Sequence, residues 1–340
     1  MPEESGPALR ACIVGAGLMG RWHAASVAAV GGTIVSVVDP DPLSLETMVG
    51  RHHGARGFSS LDMALQSLPP DVVHLCTPLS SHAELATVAM NCGAHVVIEK
   101  PLARNAEETG ALLELAQSRN LLLAPVHQFV FQRGVAEALK RLPSLGDIQH
   151  LSFEICSAGG EQRSENLLDQ IVDEILPHPI SVAEAFGLGA EQGSTAVLSP
   201  RAGELSAMWN CAGGATVSVL VSMHGRPPRN RATLVSSRAT IHFDFFHGFS
   251  FTERAWTSRW RKAASPFEHS GRTVLAGSAN LLERAWRSES AYPGLRELIG
   301  QFYAAVREHG PSPIPPQSVL AVALARDHLL QRAAEARASR

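Results

Sequence analysis

A glycine-rich segment near the N-terminus constrains the fold more than any other feature of this chain. An apolar run leads directly into Gly15, Gly17 and Gly20, which have the spacing G-x-G-x-x-G, and a helix-like segment follows. The first glycine permits a tight turn, the second lets the backbone approach a ligand, and the third allows close packing of the helix. The helix N-terminus then favours a bound anion. The segment therefore predicts a turn that binds the pyrophosphate of a dinucleotide, through Gly15, Gly17, Leu18, Met19 and Gly20.

A carboxylate lies at the end of the next apolar run. Asp39 follows residues 34–38 and stands nineteen residues after Gly20. At this place a carboxylate accepts hydrogen bonds from both ribose hydroxyls of an adenosine and repels a 2′-phosphate. Residues 40–49 contain no arginine that would neutralise such a phosphate. The glycine spacing and Asp39 together predict NAD as the cofactor, with NADP disfavoured.

The pattern of the whole chain predicts two domains. Its 340 residues, 45% of them hydrophobic, are enough for two cores. Up to about residue 124, short β-type runs alternate with helix-like stretches, which indicates a parallel sheet. From about residue 148 the runs are longer and turn on Gly, Pro and Asn, which favours a mostly antiparallel sheet. We predict an α/β chain with a Rossmann domain over residues 1–127. Over residues 128–340 we expect an α+β domain built on an open, mostly antiparallel sheet. Its C-terminal helices could pack back on the first domain.

Composition argues against several classes of function. The 29 Lys and Arg are outnumbered by 32 Asp and Glu, so the chain lacks the positive field that general nucleic-acid binding requires. The N-terminus does not read as a secretion signal, and no segment reaches the roughly 18 apolar residues of a membrane span. Five widely spaced cysteines favour reduced core thiols over disulfides or zinc. We expect a cytoplasmic protein with no membrane or nucleic-acid partner.

Three further segments occur in order along the chain. Residues 77–84 follow one apolar run, the Glu-Lys-Pro element 99–101 follows the next, and residues 173–178 combine acidic side chains with a histidine. With the glycine motif, they make the chain resemble the glucose-fructose oxidoreductase, inositol dehydrogenase and rhizopine catabolism family, known as Gfo/Idh/MocA. The resemblance is close over residues 10–130 and looser beyond. It implies a Rossmann domain followed by an open antiparallel sheet, as the strand pattern also predicts.

The Glu-Lys-Pro element carries the chemistry that this resemblance implies. Lys100 would orient the reacting hydroxyl or carbonyl oxygen and stabilise its negative charge, while Glu99 and Pro101 fix the strand end that presents it. An ammonium group in a partly dehydrated site attracts a charged oxygen far more strongly than it does in water. Pro101 is a candidate for a cis peptide bond, because only X-Pro bonds adopt that form at low cost. The resemblance places further cofactor contacts at Thr77, Pro78, His82, Glu99 and Lys100.

The histidine element departs from the family pattern. The family carries Asp-x-x-x-His with the histidine as proton acceptor, whereas here Glu174 stands four residues before His178. Positions four apart share a helix face, so we expect Glu174 to hydrogen-bond the His178 ring. Pro177 and the proline after His178 disturb the register, since the residue before a proline avoids helical dihedrals. A kink there would make Asp173 the partner instead, and a His178 that only lines the site is the remaining alternative.

Two other parts of the chain are candidates for function. His127 and Gln128 follow the last strand of the first domain, where the family often has a polar residue facing cofactor or substrate, so both are possible pocket residues. Residues 251–292 have no counterpart in the family pattern and combine Trp256, Trp260 and Trp286 with basic side chains. They fit a lid over an anionic substrate, a subunit contact, a weak nucleic-acid or membrane patch, or a long packed connection.

The remaining histidines give no reason to expect a metal. His52 and His53, and likewise His242 and His247, lack the spacing with nearby carboxylates that is typical of metal ligands. The sequence therefore predicts no metal.

The resemblance implies an oxidoreductase that transfers a hydride between NAD and a carbinol or imine carbon of a sugar, polyol or related small molecule. His178 would accept the proton, Lys100 would position the oxygen, and Glu174 would orient the imidazole. Two alternatives stay open: non-redox chemistry through transient oxidation by NAD, and a regulatory protein that senses NAD without turnover. The intact Glu-Lys-Pro element argues against the sensor. A homo-oligomer, a dimer or tetramer, is expected because residues 205–225 are apolar enough for self-association.

Overall fold

The computed structural model describes residues 7–158, 163–190, 195–255, 258–286 and 291–339, without the side chains of residues 259–261. Two compact units divide the chain: Met1–His127 with Leu295–Ala323, and Gln128–Gly294 with Leu324–Arg340. Each unit is built on one sheet.

The first unit has a six-stranded parallel sheet with the order β3-β2-β1-β4-β5-β6. Its strands are β1 (Arg10–Val14), β2 (Thr33–Val38), β3 (Arg56–Phe58), β4 (Val72–Leu75), β5 (His95–Ile98) and β6 (Leu123–Pro125). The central strands β1 and β4 are buried on both faces, which explains their continuous apolar runs. The Rossmann prediction is confirmed. The strand β3 was missed, because its sequence Arg-Gly-Phe forms no apolar run.

Helices surround this sheet. They are α1 (Leu18–Ala29), α2 (Pro42–Val49), α3 (Leu61–Ser67), α4 (His82–Asn91), α5 (Ala106–Ser118) and, from the C-terminal part of the chain, α11 (Leu295–Glu308), which packs against α1. The predicted cap of α5 is present, since Asn105 Oδ1 accepts from the Glu108 backbone N–H at 2.8 Å. The Glu108 carboxylate accepts from the Arg104 N–H, one residue before the position that a standard capping box uses.

The second unit has a seven-stranded mixed sheet with the order β13-β12-β11-β7-β10-β9-β8. Its strands are β7 (Ile148–Cys156), β8 (Thr195–Leu198), β9 (Glu204–Asn210), β10 (Thr216–Ser222), β11 (Arg229–Ser236), β12 (Ala239–Asp244) and β13 (Phe249–Arg254). Only β7 and β10 pair in parallel, so the mostly antiparallel prediction is confirmed. Its helices are α6 (Arg133–Lys140), α7 (Leu142–Leu145), α8 (Glu165–Ile175), α9 (Pro177–Ala185) and α10 (Arg259–Trp286), while α12 (Pro316–Ala338) contributes residues to both units.

The described residues between 251 and 292 are largely regular secondary structure. They contain the end of the edge strand β13 and the 28-residue helix α10, which packs against β13. The helix turns a row of apolar side chains to solvent: Phe267, Leu275, Leu282 and Trp286 are 81%, 73%, 74% and 89% exposed. Trp256 and Arg287 lie outside the described residues, as do the side chains of Arg259, Trp260 and Arg261.

Two sequence expectations concern what the fold lacks. Within the described residues, no helix combines the length and apolar character needed to cross a membrane. In the same part of the chain no disulfide joins the cysteines, three of which, Cys12, Cys156 and Cys211, are buried. The prediction of core thiols is confirmed for these three, whereas Cys92 is exposed.

Candidate active site

The glycine turn between β1 and α1 has the geometry that its spacing predicts. Gly15 has φ +96°, and a Cβ there would lie 2.4 Å from the Cys76 carbonyl oxygen. A Cβ at Gly20 would lie 1.8 Å from the Gly15 carbonyl oxygen, so helix and turn meet too closely for any side chain. Gly17 is different: a Cβ there would meet nothing within 4 Å among the described residues. Its openness leaves the N-terminus of α1 accessible to an anionic ligand.

Asp39 lies beside this turn, at the end of β2. Its Oδ2 accepts a hydrogen bond from the Ala16 N–H at 2.7 Å, and its Oδ1 accepts one from the Asp41 N–H at 2.8 Å. The carboxylate is therefore held in place by the backbone of the turn. Because each carboxylate oxygen has about two acceptor sites, both oxygens keep capacity for a ligand hydroxyl.

Lys100 follows β5 at the same edge of the sheet. The strands β1, β4 and β5 are parallel neighbours, so the glycine turn, Thr77-Pro78 and Lys100 all lie at their carboxyl ends. The Lys100–Pro101 peptide bond is cis, as the sequence analysis anticipated. The Lys100 side chain is partly exposed, whereas Glu99 before it is buried. This edge of the sheet therefore presents an ammonium group beside a turn shaped for a dinucleotide.

His82 lies between two turns of the first unit, and the expected cofactor contact stays a prediction. Its ring is buried, and its Nδ1 and Nε2 lie 2.9 and 2.8 Å from the carbonyl oxygens of Pro101 and Thr77. Both nitrogens thus face backbone carbonyl oxygens. We assign His82 to holding the turn after β4 against the turn after β5. Thr77 keeps a partly exposed side chain, and its Oγ1 accepts a hydrogen bond from Ser81.

A chain of buried polar side chains lies behind Lys100. Glu99 Oε2 accepts from the Lys100 backbone N–H at 3.2 Å, and Oε1 lies 3.1 Å from His23 Nε2. The Nδ1 atoms of His23 and His74 are 3.0 Å apart, and His74 Nε2 lies 2.9 Å from the Tyr303 hydroxyl. All four side chains are buried. The chain thus links α1, β4, the end of β5 and α11 inside the first unit.

The protonation of this chain follows from its surroundings. Burial, and then the charge of His23, hold the pKa of His74 well below its usual value, so His74 is neutral. Burial would raise the pKa of Glu99, but hydrogen bonding and charge from His23, with help from Lys100, lower it below its usual value. Burial also raises the pKa of Tyr303 far above its usual range. With His74 neutral, one consistent set of donors runs from Tyr303 to His74, from His74 to His23, and from His23 to the Glu99 carboxylate.

Sequence reasoning missed this chain. The available signal was His74 itself, because a histidine inside the fully buried strand β4 must find a hydrogen-bond partner. The identity of that partner depends on tertiary structure, since Tyr303 lies 229 residues away in sequence.

His178 lies in the second unit on a base of aromatic rings. Its imidazole stacks on Phe129, with ring centroids 4.1 Å apart and planes 12° from parallel. Phe129 in turn stacks on Phe245 at 4.7 Å. The His178 carbonyl accepts from the Ser181 hydroxyl at 2.9 Å, which stabilises the first turn of α9. The ring plane of His178 is therefore fixed by packing.

The two acidic residues before His178 make different contacts. Helix α8 ends at Ile175 and α9 begins at Pro177. Leu176 between them has φ and ψ of −53° and −37°, which are helical values, so the backbone has no sharp break there. The Asp173 carboxylate forms a bidentate pair with the buried guanidinium of Arg326, including an Nη2–Oδ2 contact of 2.8 Å. Glu174 accepts from the Gln170 amide at 3.3 Å. The Asp173 side chain thus pairs with α12, whereas the partnership of Glu174 with His178 stays a prediction.

His127 and Gln128 are both buried, and the division of the chain into two units falls between them in sequence. Burial lowers the pKa of His127 to about 4, so it is neutral near pH 7. Gln128 Oε1 is buried without a hydrogen-bond partner among the described residues. An orphaned buried oxygen next to Phe129, the residue on which His178 stacks, is the kind of group that a ligand satisfies. Gln128 is therefore the stronger pocket candidate of the two.

Comparisons with known proteins agree with this arrangement. Residues 9–127 match the model of an oxidoreductase family with an NAD-binding Rossmann fold, GFO_IDH_MocA. A UDP-N-acetylglucosamine 3-dehydrogenase from Acidithiobacillus ferrooxidans is 37% identical over 119 residues, which are 35% of this chain and 37% of that protein. An inositol 2-dehydrogenase from Leifsonia xyli subsp. xyli is 34% identical over 43% of this chain and 44% of its own length. The sequence matches thus span less than half of either relative.

Solved structures extend the likeness in fold. The WlbA dehydrogenase from Bordetella pertussis, in complex with NADH and UDP-GlcNAcA, superposes with a TM-score of 0.76 at 17% identity, covering 99% of this chain and 97% of that one. At this identity the likeness concerns the fold alone. Combined with the family match and the glycine turn, it agrees with the two-sheet architecture described above. Residues 9–127 thus match the NAD-binding Rossmann domain of the Gfo/Idh/MocA family of oxidoreductases.

Proposed function

We propose that this protein is an NAD-dependent dehydrogenase or reductase that transfers a hydride to or from a carbinol or imine carbon of a sugar, polyol or related small molecule. The observation that carries the proposal is the position of Lys100. It follows β5 at the sheet edge that also holds the glycine turn and Thr77, in the domain that matches an NAD-binding family. Ligands of such sheets bind outside the carboxyl ends of the strands.

The residues at this edge fit NAD. The open backbone at Gly17, together with Leu18, Met19 and the N-terminus of α1, would hold the pyrophosphate, and Asp39 would accept from the adenosine ribose. Thr77, Pro78 and Lys100 would lie towards the nicotinamide. When bound, NAD supplies the group that accepts or releases a hydride.

The remaining steps belong to the side chains. Lys100 would hold the substrate oxygen and stabilise negative charge on it, since an ammonium acts strongly where water is excluded. His178 would take the hydroxyl proton, a task that suits the reference imidazole pKa of about 6.5. Glu174 would orient the His178 ring, and Gln128 would donate or accept one hydrogen bond to the substrate. Asp173 supports α8 through its pair with Arg326 and has no direct part.

The substrate class rests on the relatives. The A. ferrooxidans relative is named for oxidation at a sugar ring position, and the L. xyli relative for oxidation of inositol, a ring polyol. Both substrates present a secondary ring alcohol. A secondary alcohol on a sugar or cyclitol ring is therefore the first class to test.

The direct test is a single-turnover assay. Stoichiometric protein and NAD are mixed with sugars, nucleotide sugars, cyclitols, sugar acids and imines, and nicotinamide absorbance is followed, with product analysis for chemistry that recycles NAD internally. We expect at least one ring alcohol to reduce bound NAD. A product without net redox would indicate transient oxidation. Binding of NAD with neither kind of chemistry across the panel, and NAD-dependent capture of a protein partner, would support a sensor instead.

We also propose a homo-oligomer in a reducing compartment, the cytoplasm. The exposed apolar row on α10 is typical of a subunit contact. Cysteines without disulfides in the described part of the chain suit a cytosolic redox potential.

A further inference from the structure

Three potential metal ligands from different elements converge in the second unit. His242 lies on β12, Glu253 on the neighbouring strand β13, and His269 on α10. Glu253 Oε2 lies 3.3 Å from His242 Nε2, and Glu253 Oε1 lies 2.9 Å from His269 Nδ1. One ligand atom from each of the three side chains lies within 4.8 Å of the other two. Three donors this close can surround one ion with small side-chain movements.

We propose that His242, Glu253 and His269 form a binding site for Zn²⁺. Two imidazole nitrogens and one carboxylate oxygen are a donor set that Zn²⁺ accepts at about 2.0–2.2 Å, in sites that keep a fourth position for water or a small ligand. Softer thiolate ligands are absent from the set, and hard cations such as Mg²⁺ prefer oxygen ligands alone. The donor set therefore selects zinc over magnesium or calcium.

The surroundings of His242 orient it as a ligand. Its Nδ1 lies 3.4 Å from the Thr233 hydroxyl on β11, so its Nε2 is the nitrogen that faces Glu253. Metal-bound histidines commonly hold their second nitrogen in a hydrogen bond of this kind. Phe251 stacks on the His242 ring at 4.8 Å and meets the His269 ring edge-on at 5.0 Å. Both rings are thus aligned by packing.

The charge and space at the cluster also suit a cation. Glu253 brings a carboxylate between the two imidazoles, 3.3 Å from His242 Nε2 and 2.9 Å from His269 Nδ1. The nearby Arg272 pairs with Glu268 at 2.7 Å, which offsets its charge. A cavity of about 340 Å³, lined in part by Glu253, His269 and Ser265, adjoins the cluster and leaves room for the fourth ligand.

A bound ion would tie α10 to the edge of the sheet. The helix packs against β13 and exposes a row of apolar side chains to solvent. The proposed site is independent of the NAD site, because all three ligands belong to the second unit and none has a role in hydride transfer. Failure of one proposal leaves the other intact.

The experiment is calorimetric titration of ZnCl₂ into chelator-treated, tag-free full-length protein, with Co²⁺ absorption as a probe of coordination. We expect one tight site per chain, with a Co²⁺ spectrum typical of four-coordinate nitrogen and oxygen ligands. His269→Ala and Glu253→Gln should each weaken zinc binding by at least about tenfold. Removing a residue that only supports a metal ligand already lowers metal affinity by about 10–100-fold, so removing a ligand should lower it at least as much. Both side chains are partly exposed, so the variants should fold.

The matched control is His247→Ala. His247 lies on the loop after β12 and pairs with Asp244 at 2.8 Å, outside the cluster, so its loss should leave zinc affinity unchanged. Circular dichroism of each variant checks the fold. Wild-type protein that binds no zinc, or His269→Ala and Glu253→Gln variants that fold and bind zinc as tightly as wild type, would overturn the proposal. The three side chains would then form only a hydrogen-bonded His–Glu–His group.

Discussion

Asp39 combines a structural and a binding role in a single carboxylate. It accepts from the backbone N–H groups of Ala16 and Asp41 and keeps acceptor sites for ribose hydroxyls. We expect NAD to bind more tightly than NADP by about tenfold or more, since each decade needs only about 1.4 kcal/mol. Asp39→Ala should narrow that ratio, measured by calorimetric titration with both cofactors.

The control for this measurement is Asp41→Ala. Asp41 caps α2 through the Leu43 and Ser44 N–H groups and should affect stability without changing the cofactor ratio. Equal affinities in wild type, or an NADP preference that Asp39→Ala leaves unchanged, would remove Asp39 from the cofactor site.

Tyr303 is the outermost donor in the buried chain that ends at Glu99. Tyr303→Phe keeps the ring but leaves His74 Nε2 buried without a donor, which should lower the free energy of unfolding by about 1–3 kcal/mol. Tyr292→Phe removes the same hydroxyl from a partly exposed residue and should cost less. Urea denaturation measures both. An equal loss in the two variants would mean that the chain contributes no stability of its own.

Two aspartates of helix α8 form ion pairs that differ in burial. Asp173 pairs with buried Arg326, whereas Asp169, one turn earlier, pairs with the partly exposed Arg337. Removing one partner of a buried pair costs about 3–5 kcal/mol, and exposed pairs are worth about 0–1 kcal/mol. Asp173→Asn should therefore destabilise the protein more than Asp169→Asn in thermal or urea unfolding. The reverse order would contradict the assignment of Asp173 to structure.

The same helix shows where sequence reasoning is reliable and where it ends. Spacing predicts that Glu174 shares a helix face with His178, and the helical dihedrals of Leu176 are compatible with that prediction. The ion pair of Asp173 depends on Arg326, which is 153 residues away in sequence, and no local sequence pattern predicts such a contact. The glycine turn, the cis peptide bond at Pro101 and five of the six parallel strands were predictable, because short-range geometry determines them. The His242, Glu253 and His269 cluster was not, because strand pairing and helix packing create it.

The whole molecule presents an apolar row on α10 that a monomer would leave in water. Phe267, Leu275, Leu282 and Trp286 form this row. We expect a dimer or tetramer by size-exclusion chromatography with light scattering. A Leu275→Glu, Leu282→Glu double variant should dissociate it, because a contact that buries two carboxylates without partners is strongly unfavourable. Ser265→Glu, also on α10, is the charge control. A monomeric wild type would contradict the oligomer.

We propose that hydride transfer and tight cofactor binding depend on different residues of this chain. Single-turnover reduction of NAD should fall by at least about 100-fold in Lys100→Met and in His178→Ala, the scale of one acid–base or charge-stabilising group. The affinity for NAD should stay nearly unchanged in both, because the glycine turn and Asp39 hold the pyrophosphate and adenosine. Variants that keep wild-type rates, or that lose NAD binding in parallel with rate, would contradict the account.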